Sequence, residues 1–358
     1  MQTTRLQKIA RMVREIPADA VMITLPVNRQ YATTFRSSAG LCFVTKEGEG
    51  YFFTDFRYIE AATKAAGQAG YQVQMMQGSY AEEVKKLVQK HGVQTLAFED
   101  RNMSVSEYEK FRRAAGCQLV PLEGRLEKIR EIKEEAEVEC IVIAQRFAEQ
   151  AFEELLNYIR PGVTEKQLAA ELNYRMLCHG AEGMSFDIIA VSGANSSMPH
   201  GVPSDKPVEK GDFITFDFGA LYGGYHSDMT RTVAVDHVTD EMRQVYDTVL
   251  KANLACCNAM QAGAKGRDIH NLALDIIAKA GYGECFQHGL GHCVGLEIHE
   301  DPRASLKSEA VLETGNVITV EPGIYLAGRF GVRIEDMIWL SPDGPKNLTN
   351  TKKDLLVL

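Results

Sequence analysis

The sequence predicts two domains of different class, an α/β domain over residues 1–122 and an α+β domain over residues 123–358. Three observations lead to this prediction. The 358 residues exceed the about 100–200 that one hydrophobic core usually spans. Short helical and strand-like segments alternate as far as residue 122. A charged stretch at 123–139 then separates them from long amphipathic helices and strand-rich runs.

The first domain opens with an amphipathic helix whose apolar residues are Leu6, Ile9, Ala10 and Val13. A turn-forming stretch at 46–50 separates two short apolar runs, which indicates a hairpin. The predicted strands are Ala20–Leu25, Leu41–Thr45, Tyr51–Thr54, Gln72–Met76, Thr95–Glu99 and Gln118–Pro121, and further helices are predicted near 57–66, 80–91 and 104–115. No segment carries a catalytic constellation, so we interpret this domain as a scaffold or a dimerisation domain.

The second domain begins with a long helix, in which apolar residues recur at helical spacing from Ala136 to Ile159 until Pro161-Gly162 ends it. Thr164, with Gln167 three residues later, predicts a capping box at the start of the next helix. Further helices are predicted near 239–261 and 266–280, and strands at 186–192, 212–235, 290–299 and 315–340. The domain is therefore predicted to be α+β, with its polar motifs concentrated in the strands.

The composition excludes several classes of function. A net charge of −9 argues against a nucleic-acid-binding protein, which needs a basic surface to neutralise phosphates. No stretch approaches the about 18 consecutive apolar residues of a membrane span, and the N-terminus lacks the apolar run of a signal peptide. The eight cysteines are scattered without a C-x-x-C pair, as expected for reduced thiols. We therefore expect a cytoplasmic protein that binds neither nucleic acid nor membranes.

Two segments of the second domain resemble each other. Residues 209–219 align without gaps to residues 313–323, and each places a carboxylate two residues after an Ile-Thr pair and two residues before a glycine. A second strand that carries an acid follows each segment. The four acids are Asp217 and Asp228 in the first copy and Glu321 and Glu335 in the second. Because side chains alternate along a strand, Asp217 and Glu321 lie on the face opposite the apolar residues beside them.

The four acids need an explanation, because buried carboxylates are costly unless they are paired or bound to metal. Exposed acids on a half-buried antiparallel sheet are the alternative for any single strand. Two matching copies make that alternative less favourable, and the pattern therefore predicts a metal site.

A histidine-rich segment lies between the two copies, at residues 287–300. His288, His292 and His299 fall within twelve positions of one another. The glycines at 289 and 291 argue against a helix, and the segment has neither an H-E-x-x-H motif nor the third glycine of a dinucleotide fingerprint. A glycine-rich loop that runs into a strand lets the backbone approach a metal closely. One imidazole can then be a ligand while another transfers protons.

Oxygen-rich donors with one imidazole favour a harder ion such as Mn, with Fe, Co or Zn as alternatives. Bridging carboxylates can hold two divalent ions about 3.5–4 Å apart, which lowers the pKa of a bound water from about 15.7 to about 7 and stabilises a tetrahedral oxyanion. The sequence thus predicts acyl transfer to water at a centre of two divalent metal ions.

Several short motifs follow one another in the second domain. They are Pro199-His200-Gly201, Asp217-Phe218-Gly219-Ala220, Ser227-Asp228-Met229-Thr230-Arg231-Thr232, His288-Gly289-Leu290-Gly291-His292, Val320-Glu321-Pro322-Gly323 and Arg333-Ile334-Glu335-Asp336. In this order the motifs resemble the creatinase/prolidase/aminopeptidase P family of metallopeptidases, and the first domain resembles that family's non-catalytic domain. The resemblance implies a creatinase/aminopeptidase-like "pita-bread" catalytic domain with pseudo-twofold symmetry, in agreement with the duplicated segments.

The resemblance also implies the metal ligands. Asp217 is the chelating ligand of one ion, and Asp228 and Glu335 bridge both ions. His292 and Glu321 are the remaining ligands of the other ion.

Five further residues take roles from the resemblance or from their positions. His200 and His299 match the histidines that position substrate and stabilise the tetrahedral intermediate. Arg333 is expected to steady the adjacent bridging carboxylate electrostatically. Together with His288 and Arg303 it is also a candidate substrate-binding residue, and for His288 a structural role is favoured over that of a metal ligand.

The implied function is a peptidase that cleaves the bond before proline, with a Xaa-Pro aminopeptidase as the first prediction and a Xaa-Pro dipeptidase as the alternative. Arg303 can pair with the free carboxylate of a short substrate, although a surface arginine after the Asp301-Pro302 turn is an equal alternative. The expected substrates are peptides with proline at the second position, and a homodimer is the expected assembly.

The same fold also occurs in three other classes of protein, and the sequence disfavours each of them. The sizeable first domain disfavours a methionine aminopeptidase. The complete ligand set disfavours a creatinase, which uses no metal. An inactive pita-bread binding module could lose these acids freely, yet all five ligands are present.

Overall fold

The computed structural model describes residues 4–358. These residues divide into two compact units, the first ending at Arg130 and the second beginning at Glu131. The charged stretch at 123–139 is therefore shared between the two units. No helix within residues 4–358 has the length and apolar character needed to cross a membrane.

Residues 4–130 form six helices and six strands. The helices are α1 (Arg5–Arg14), α2 (Pro26–Thr33), α3 (Ile59–Gln68), α4 (Tyr80–His91), α5 (Val105–Ala115) and α6 (Arg125–Arg130). The strands are β1 (Ala20–Ile23), β2 (Leu41–Thr45), β3 (Gly50–Thr54), β4 (Tyr71–Met75), β5 (Thr95–Phe98) and β6 (Gln118–Pro121). They form one mixed sheet in the order β4-β3-β2-β1-β5-β6, in which β1 runs antiparallel to β2 and parallel to β5.

Every strand and helix that the sequence predicts in the first unit is present, with small shifts at the ends. Two helices were not expected. Helix α2 begins at Pro26, which suits the first turn of a helix because its missing N–H would have no partner there. Helix α6 lies in the charged stretch and is too short, at six residues, for a helical period to be recognised.

The second unit contains four α-helices, two short 3₁₀ turns and thirteen strands within residues 131–358. The helices are α7 (Glu135–Leu155), α8 (Glu165–His179), α9 (Asp240–Ala259) and α10 (Gly266–Lys279), and the 3₁₀ turns are Gly193–Ser197 and Gly283–Cys285. The strands are β7 (Gly183–Met184), β8 (Ile189–Ser192), β9 (Phe213–Phe218), β10 (Ala220–Tyr222), β11 (Tyr225–His226), β12 (Met229–Ala234), β13 (Gly291–Cys293), β14 (Glu300–Ala304), β15 (Val317–Val320), β16 (Gly323–Leu326), β17 (Phe330–Arg333), β18 (Asp336–Ser341) and β19 (Gly344–Asn347).

A pair of helices packs on a sheet twice in this unit. In the first half, α7 and α8 share a core with the sheet β12-β9-β8, in which Phe152, Leu168 and Phe216 are buried. In the second half, α9 and α10 share a core with the sheet β14-β13-β15-β18-β19, in which Val249 and Ile318 are buried. Each such side chain contributes about 1.5–3 kcal/mol when it is fully buried. The duplicated sequence segments therefore belong to two halves that each have a hydrophobic core, and Phe213 and Ala234 of the first half extend into the second core.

Each half inserts a short hairpin between its two long strands. Strands β10 and β11 lie between β9 and β12, and β16 and β17 lie between β15 and β18. The acids lie where the chain passes from a long strand to the hairpin or back: Asp217 near the end of β9, Asp228 just before β12, Glu321 just after β15 and Glu335 just before β18. Gly219 permits this bend in the first half, because a Cβ there would collide with the carbonyl oxygen of Ser227.

The predicted strand at 290–299 is wrong over its second part. Strand β13 ends at Cys293, its pairing with β14 shifts register between His292 and Cys293, and residues 294–299 form a turn. The buried Glu300 carboxylate holds this turn, because it accepts the backbone N–H of Glu297 at 3.2 Å and a 2.7 Å hydrogen bond from buried Lys133. Helix α7 also ends at Leu155, earlier than the predicted stop at Pro161.

Candidate metal centre

A cavity of about 510 Å³ in the second unit brings the candidate site residues together. All ten line it: His200, Asp217, Asp228, His288, His292, His299, Arg303, Glu321, Arg333 and Glu335. The cavity is also lined by residues that the sequence analysis did not single out, among them Phe186, Asp187, Ile189 and Ile298. Their only signal in the sequence was their place in the strand-like runs 186–192 and 290–299.

The position of His292 depends on a close approach of β13 to β15. A Cβ at Gly291 would collide with the backbone of Thr319, so only glycine fits there. The backbone N–H of His292 then donates to Thr319 Oγ1 at 3.1 Å. Strand β14 lies on the other side of β13 and places Arg303 opposite His292.

The imidazole of His292 faces the acids of both halves. Its Nε2 lies 3.6 Å from a carboxylate oxygen of Asp228 and 3.6 Å from one of Glu321. Asp228, His292 and Glu335 each offer one ligand atom, and these three atoms lie within 4.8 Å of one another. All three residues are buried. The acids that are distant in sequence thus meet around one imidazole.

The hydrogen bonds of His292 fix which of its nitrogens can bind a cation. Its Nδ1 lies 3.1 Å from the carbonyl oxygen of Cys293, and since a carbonyl can only accept, Nδ1 carries the proton. Burial lowers the pKa of His292 to about 3, with His299 contributing, so the ring is neutral near pH 7. The lone pair of Nε2 therefore points toward two carboxylate oxygens, which is unfavourable unless a cation lies between them.

The carboxylates are also poorly compensated as they stand. Burial raises the pKa of Asp228 and of Glu335 well above the usual range, and the neighbouring carboxylates raise both further. Burial likewise raises the pKa of Glu321 to about 8. Asp217 Oδ1 is buried and has no hydrogen-bond partner among the described residues. This group of buried acids and acceptor atoms, whose ionisation is unfavourable without a compensating charge, fits divalent cations.

Arg333 forms an ion pair with one of the acids, Asp217, and its charge also opposes the raised pKa of Glu335, the acid that it was expected to stabilise. Its Nη2 pairs with Asp217 at 2.6 Å, and it reaches Glu335 only through Thr230, whose Oγ1 accepts from Arg333 Nε at 3.1 Å and donates to Glu335 at 2.8 Å. Its Nη1 donates to Tyr325 Oη at 2.7 Å. Arg333 therefore reaches acids of both halves, directly at Asp217 and through Thr230 at Glu335, and four of its five N–H donors have protein partners.

The other histidines occupy different positions around the centre. The His299 ring lies 4.4 Å from the His292 ring, centroid to centroid, and burial lowers its pKa. His288 lies deeper, with Nδ1 donating to the Gly289 carbonyl oxygen at 2.8 Å and Nε2 lying 3.0 Å from Tyr325 Oη. His200 is an exposed residue on the loop after β8. His200 and His299 can therefore meet a substrate in the cavity, whereas both ring nitrogens of His288 have protein partners.

The pKa shifts predict how pH affects the stability of the metal-free protein. Glu321 holds its proton in the folded state up to about pH 8, and the pKa values of Asp228 and Glu335 are raised in the same direction, whereas acids in the unfolded chain lose their protons near pH 4. Stability should therefore fall as pH rises from about 4 to about 8. The pKa values of His288 and His292 are lowered to about 4 and about 3. Below about pH 6.5 these histidines are protonated in the unfolded chain but not in the folded protein, so their contribution to stability rises with pH and opposes that of the acids. Between about pH 6.5 and pH 8 the stability therefore follows the acids and not the histidines.

We therefore expect the melting temperature in EDTA to fall from about pH 6.5 to pH 8, while the stabilisation by added Mn²⁺ grows over the same range because ions no longer compete with protons. Thermal unfolding at closely spaced pH values measures both trends. The Glu321→Gln variant, which lacks one of the titrating acids, should show a smaller slope in EDTA. A melting temperature in EDTA that is constant or rises over this range would contradict the charge distribution described here.

Comparison with known families assigns a family to each of the two units. Residues 139–342 match the metallopeptidase family M24, and residues 5–132 match the creatinase/prolidase N-terminal domain. The chain therefore belongs to metallopeptidase family M24 and is a hydrolase, and the family implies divalent metal ions. Its second unit is the pita-bread domain of that family, and its first unit is the creatinase-type N-terminal domain.

The chain is similar over nearly its whole length to proteins named Xaa-Pro dipeptidase and to one named X-Pro aminopeptidase. It is 35% identical to the Xaa-Pro dipeptidase of Pyrococcus furiosus, covering 98% of this chain and 99% of the relative. It superposes on the Xaa-Pro dipeptidase from Bacillus anthracis with a TM-score of 0.95 and 41% identity, covering 99% of each chain. It superposes on the X-Pro aminopeptidase from Thermotoga maritima MSB8 with a TM-score of 0.92 and 36% identity, covering 97% of this chain and 100% of the other.

Proposed function

We propose that this protein hydrolyses the peptide bond between an N-terminal residue and a following proline. The observation that carries the proposal is the meeting of four acids and one neutral imidazole at a cavity that is also lined by three further histidines and Arg303. The names of the similar proteins, which include Xaa-Pro dipeptidases and an X-Pro aminopeptidase, support the choice of substrate.

The proposed ligands are Asp217, Asp228, His292, Glu321 and Glu335, with Asp228 and Glu335 shared between two ions. Bound ions would supply an activated water and polarise the scissile carbonyl. The mixture of carboxylates with one imidazole favours Mn²⁺, with Co²⁺, Zn²⁺ or Fe²⁺ as alternatives. We assign no ligand to the first unit, which we propose to be a non-catalytic domain that supports a homodimer.

Other cavity residues are proposed to act on the substrate. In this proposal His200 and His299 donate hydrogen bonds to the oxyanion that develops on the scissile carbonyl and transfer a proton to the leaving nitrogen. The apolar side chains of Phe186, Ile189 and Ile298 line the same cavity and provide a surface for the proline ring. Arg333 keeps Asp217 oriented through their 2.6 Å ion pair.

Substrate length separates an aminopeptidase, our first prediction, from a dipeptidase. One observation favours the dipeptidase as a second candidate. Arg303 lines the cavity, its guanidinium lies 3.7 Å from Asp301, and its side chain is 54% exposed, so it is accessible to a ligand. The carboxylate of a dipeptide ends one residue after the scissile bond, and an arginine at this wall can bind it bidentately.

Hydrolysis of Gly-Pro and of Gly-Pro-Pro, after chelation and re-addition of single metal ions, tests the function and the substrate length together. We expect Arg303→Ala to raise KM for the dipeptide by about tenfold, because a charge-assisted hydrogen bond contributes about 1.5–3 kcal/mol. Cleavage of the tripeptide should change little. Lys307→Ala, which removes a charge nearby in the sequence, is the control.

If Arg303→Ala lost activity equally on both peptides, Arg303 would not be the residue that binds the dipeptide carboxylate. The aminopeptidase would then be the better assignment. Hydrolysis of neither peptide by the metal-loaded protein would refute the proposed function.

A further inference from the structure

Glu165, a residue outside the cavity, is held against both ends of the loop that carries His200. We propose that Glu165 is a positioning residue, which fixes this loop so that His200 faces the cavity. The proposal rests on the function of His200 proposed above and adds to it a residue with no contact to substrate or metal.

The carboxylate of Glu165 accepts hydrogen bonds from three residues that flank or lie within the loop. Glu165 is in the first turn of α8, and its exposed fraction is 0%. Oε1 accepts from Ser192 N at 2.6 Å, Ser192 Oγ at 3.1 Å and Asn195 Nδ2 at 3.1 Å, while Oε2 accepts from Ser204 Oγ at 2.6 Å, Ser204 N at 2.9 Å and Asn195 Nδ2 at 3.1 Å. One buried carboxylate therefore joins the beginning of the loop to its end.

Hydrophobic packing does not explain the order of this loop. Between Gly193 and Ser204 the buried residues are Gly193, Ser196 and Gly201, none of which has a large apolar side chain. The apolar residues Met198 and Val202 are 49% and 79% exposed. The polar contacts of the loop are therefore the interactions that hold it.

The opposite side of the loop contacts the hairpin that carries Arg333. Ser196 Oγ accepts from the backbone N–H of Gly331 at 2.9 Å, and the Pro199 carbonyl oxygen accepts from Arg333 Nη1 at 3.3 Å. His200 follows Pro199 directly. The loop thus lies between Glu165 on one side and the hairpin of Arg333 on the other, and loss of the Glu165 contacts would weaken its support on the first side.

Replacement of the carboxylate by an amide removes much of this support. A glutamine at 165 offers one acceptor oxygen, and its NH₂ group would face the N–H and O–H donors that the second carboxylate oxygen accepts. Buried donors that lose their acceptor are destabilising. A displacement of a positioned group by about 1 Å can reduce a rate by about 10²-fold.

The test compares Glu165→Gln with Glu171→Gln, a change on the same helix at a residue that pairs with Arg175 and not with the loop. We expect Glu165→Gln to lower kcat for Gly-Pro hydrolysis by about 10- to 100-fold, with KM changed less than about threefold and two metal ions retained. Hydrogen exchange across residues 193–204, followed by mass spectrometry, should become faster. Glu171→Gln should match the unmodified protein in each measurement.

A double variant separates positioning of His200 from a general structural role. If Glu165 acts through His200, Glu165→Gln combined with His200→Ala should be no slower than His200→Ala alone. A double variant whose loss of kcat is the product of the two single losses would overturn the proposal. A Glu165→Gln protein with unchanged kcat would also overturn it. Should Glu165→Gln not fold, Asn195→Ala removes two of the hydrogen bonds, and the same two criteria then apply to it with a smaller expected loss.

The exchange measurement distinguishes failure of this proposal from failure of the proposed function. If the metal-loaded protein cleaves no Xaa-Pro peptide, the proposed function fails. Unchanged exchange in residues 193–204 of Glu165→Gln would still refute the anchoring of the loop.

Discussion

The Glu335→Gln variant is expected to lose turnover, with kcat/KM lower by about 10³-fold or more, while its fold stays intact. Glu335 is buried beside Asp228 and His292, and we propose that it bridges both ions. An amide at this position supplies one neutral oxygen in place of a charged pair, so both ions should bind more weakly. Thr230 Oγ1 can still donate to the amide oxygen, which preserves the local packing.

Elemental analysis should find fewer than two metal ions per chain in Glu335→Gln, and Asp228→Asn should behave in the same way. The control is Glu209→Gln, an exposed acid of the duplicated segment that lies away from the cavity. Circular dichroism checks that each variant is folded. A Glu335→Gln protein with both ions and full activity would disprove the assignment of Glu335 as a bridge.

The His200→Ala and His299→Ala variants are expected to keep both metal ions and to lose kcat by about 10²–10³-fold each. Neither residue is part of the cluster formed by Asp228, His292 and Glu335. Both line the cavity, where a hydrogen bond to the developing oxyanion would stabilise the transition state more than the bound substrate. The loss should therefore appear in kcat more than in KM.

Steady-state kinetics together with metal analysis test this expectation. His237→Ala is a suitable control, because His237 is exposed and pairs with Asp236 on the surface. If either variant were purified without metal, the histidine concerned would be a ligand and the proposed division of roles would be wrong.

The acids of the site could be recognised in the sequence because their signal is local and repeated. Asp217 and Glu321 occupy the same position in two aligned segments, and strand alternation alone predicts that they point away from the apolar face. The selection of His292 among three neighbouring histidines required the resemblance, since the spacing itself permits several choices. In the structure the position of His292 depends on a close contact between β13 and β15, which are separated in sequence by the 23 residues 294–316.

Interactions between distant segments could not be predicted. Arg333 lies two residues before Glu335 in the sequence, yet it pairs with Asp217, which lies 116 residues away. The turn at 294–299 depends on Lys133, which is 167 residues from Glu300. Glu165 resembles any acidic residue in the first turn of a helix, where the dipole favours negative charge, so its contacts to the His200 loop have no sequence signature.

The distribution of ligands between the two halves of the second unit has a consequence for its mechanics. In the proposed centre, Asp217 and Asp228 come from the first half, and His292, Glu321 and Glu335 come from the second. Bound ions would then act as an intramolecular cross-link whose strength is set by the concentration of free metal, reaching about 2.7 kcal/mol at 100 times the dissociation constant. Chelation should weaken the junction between the halves while leaving the hydrophobic core of each half in place.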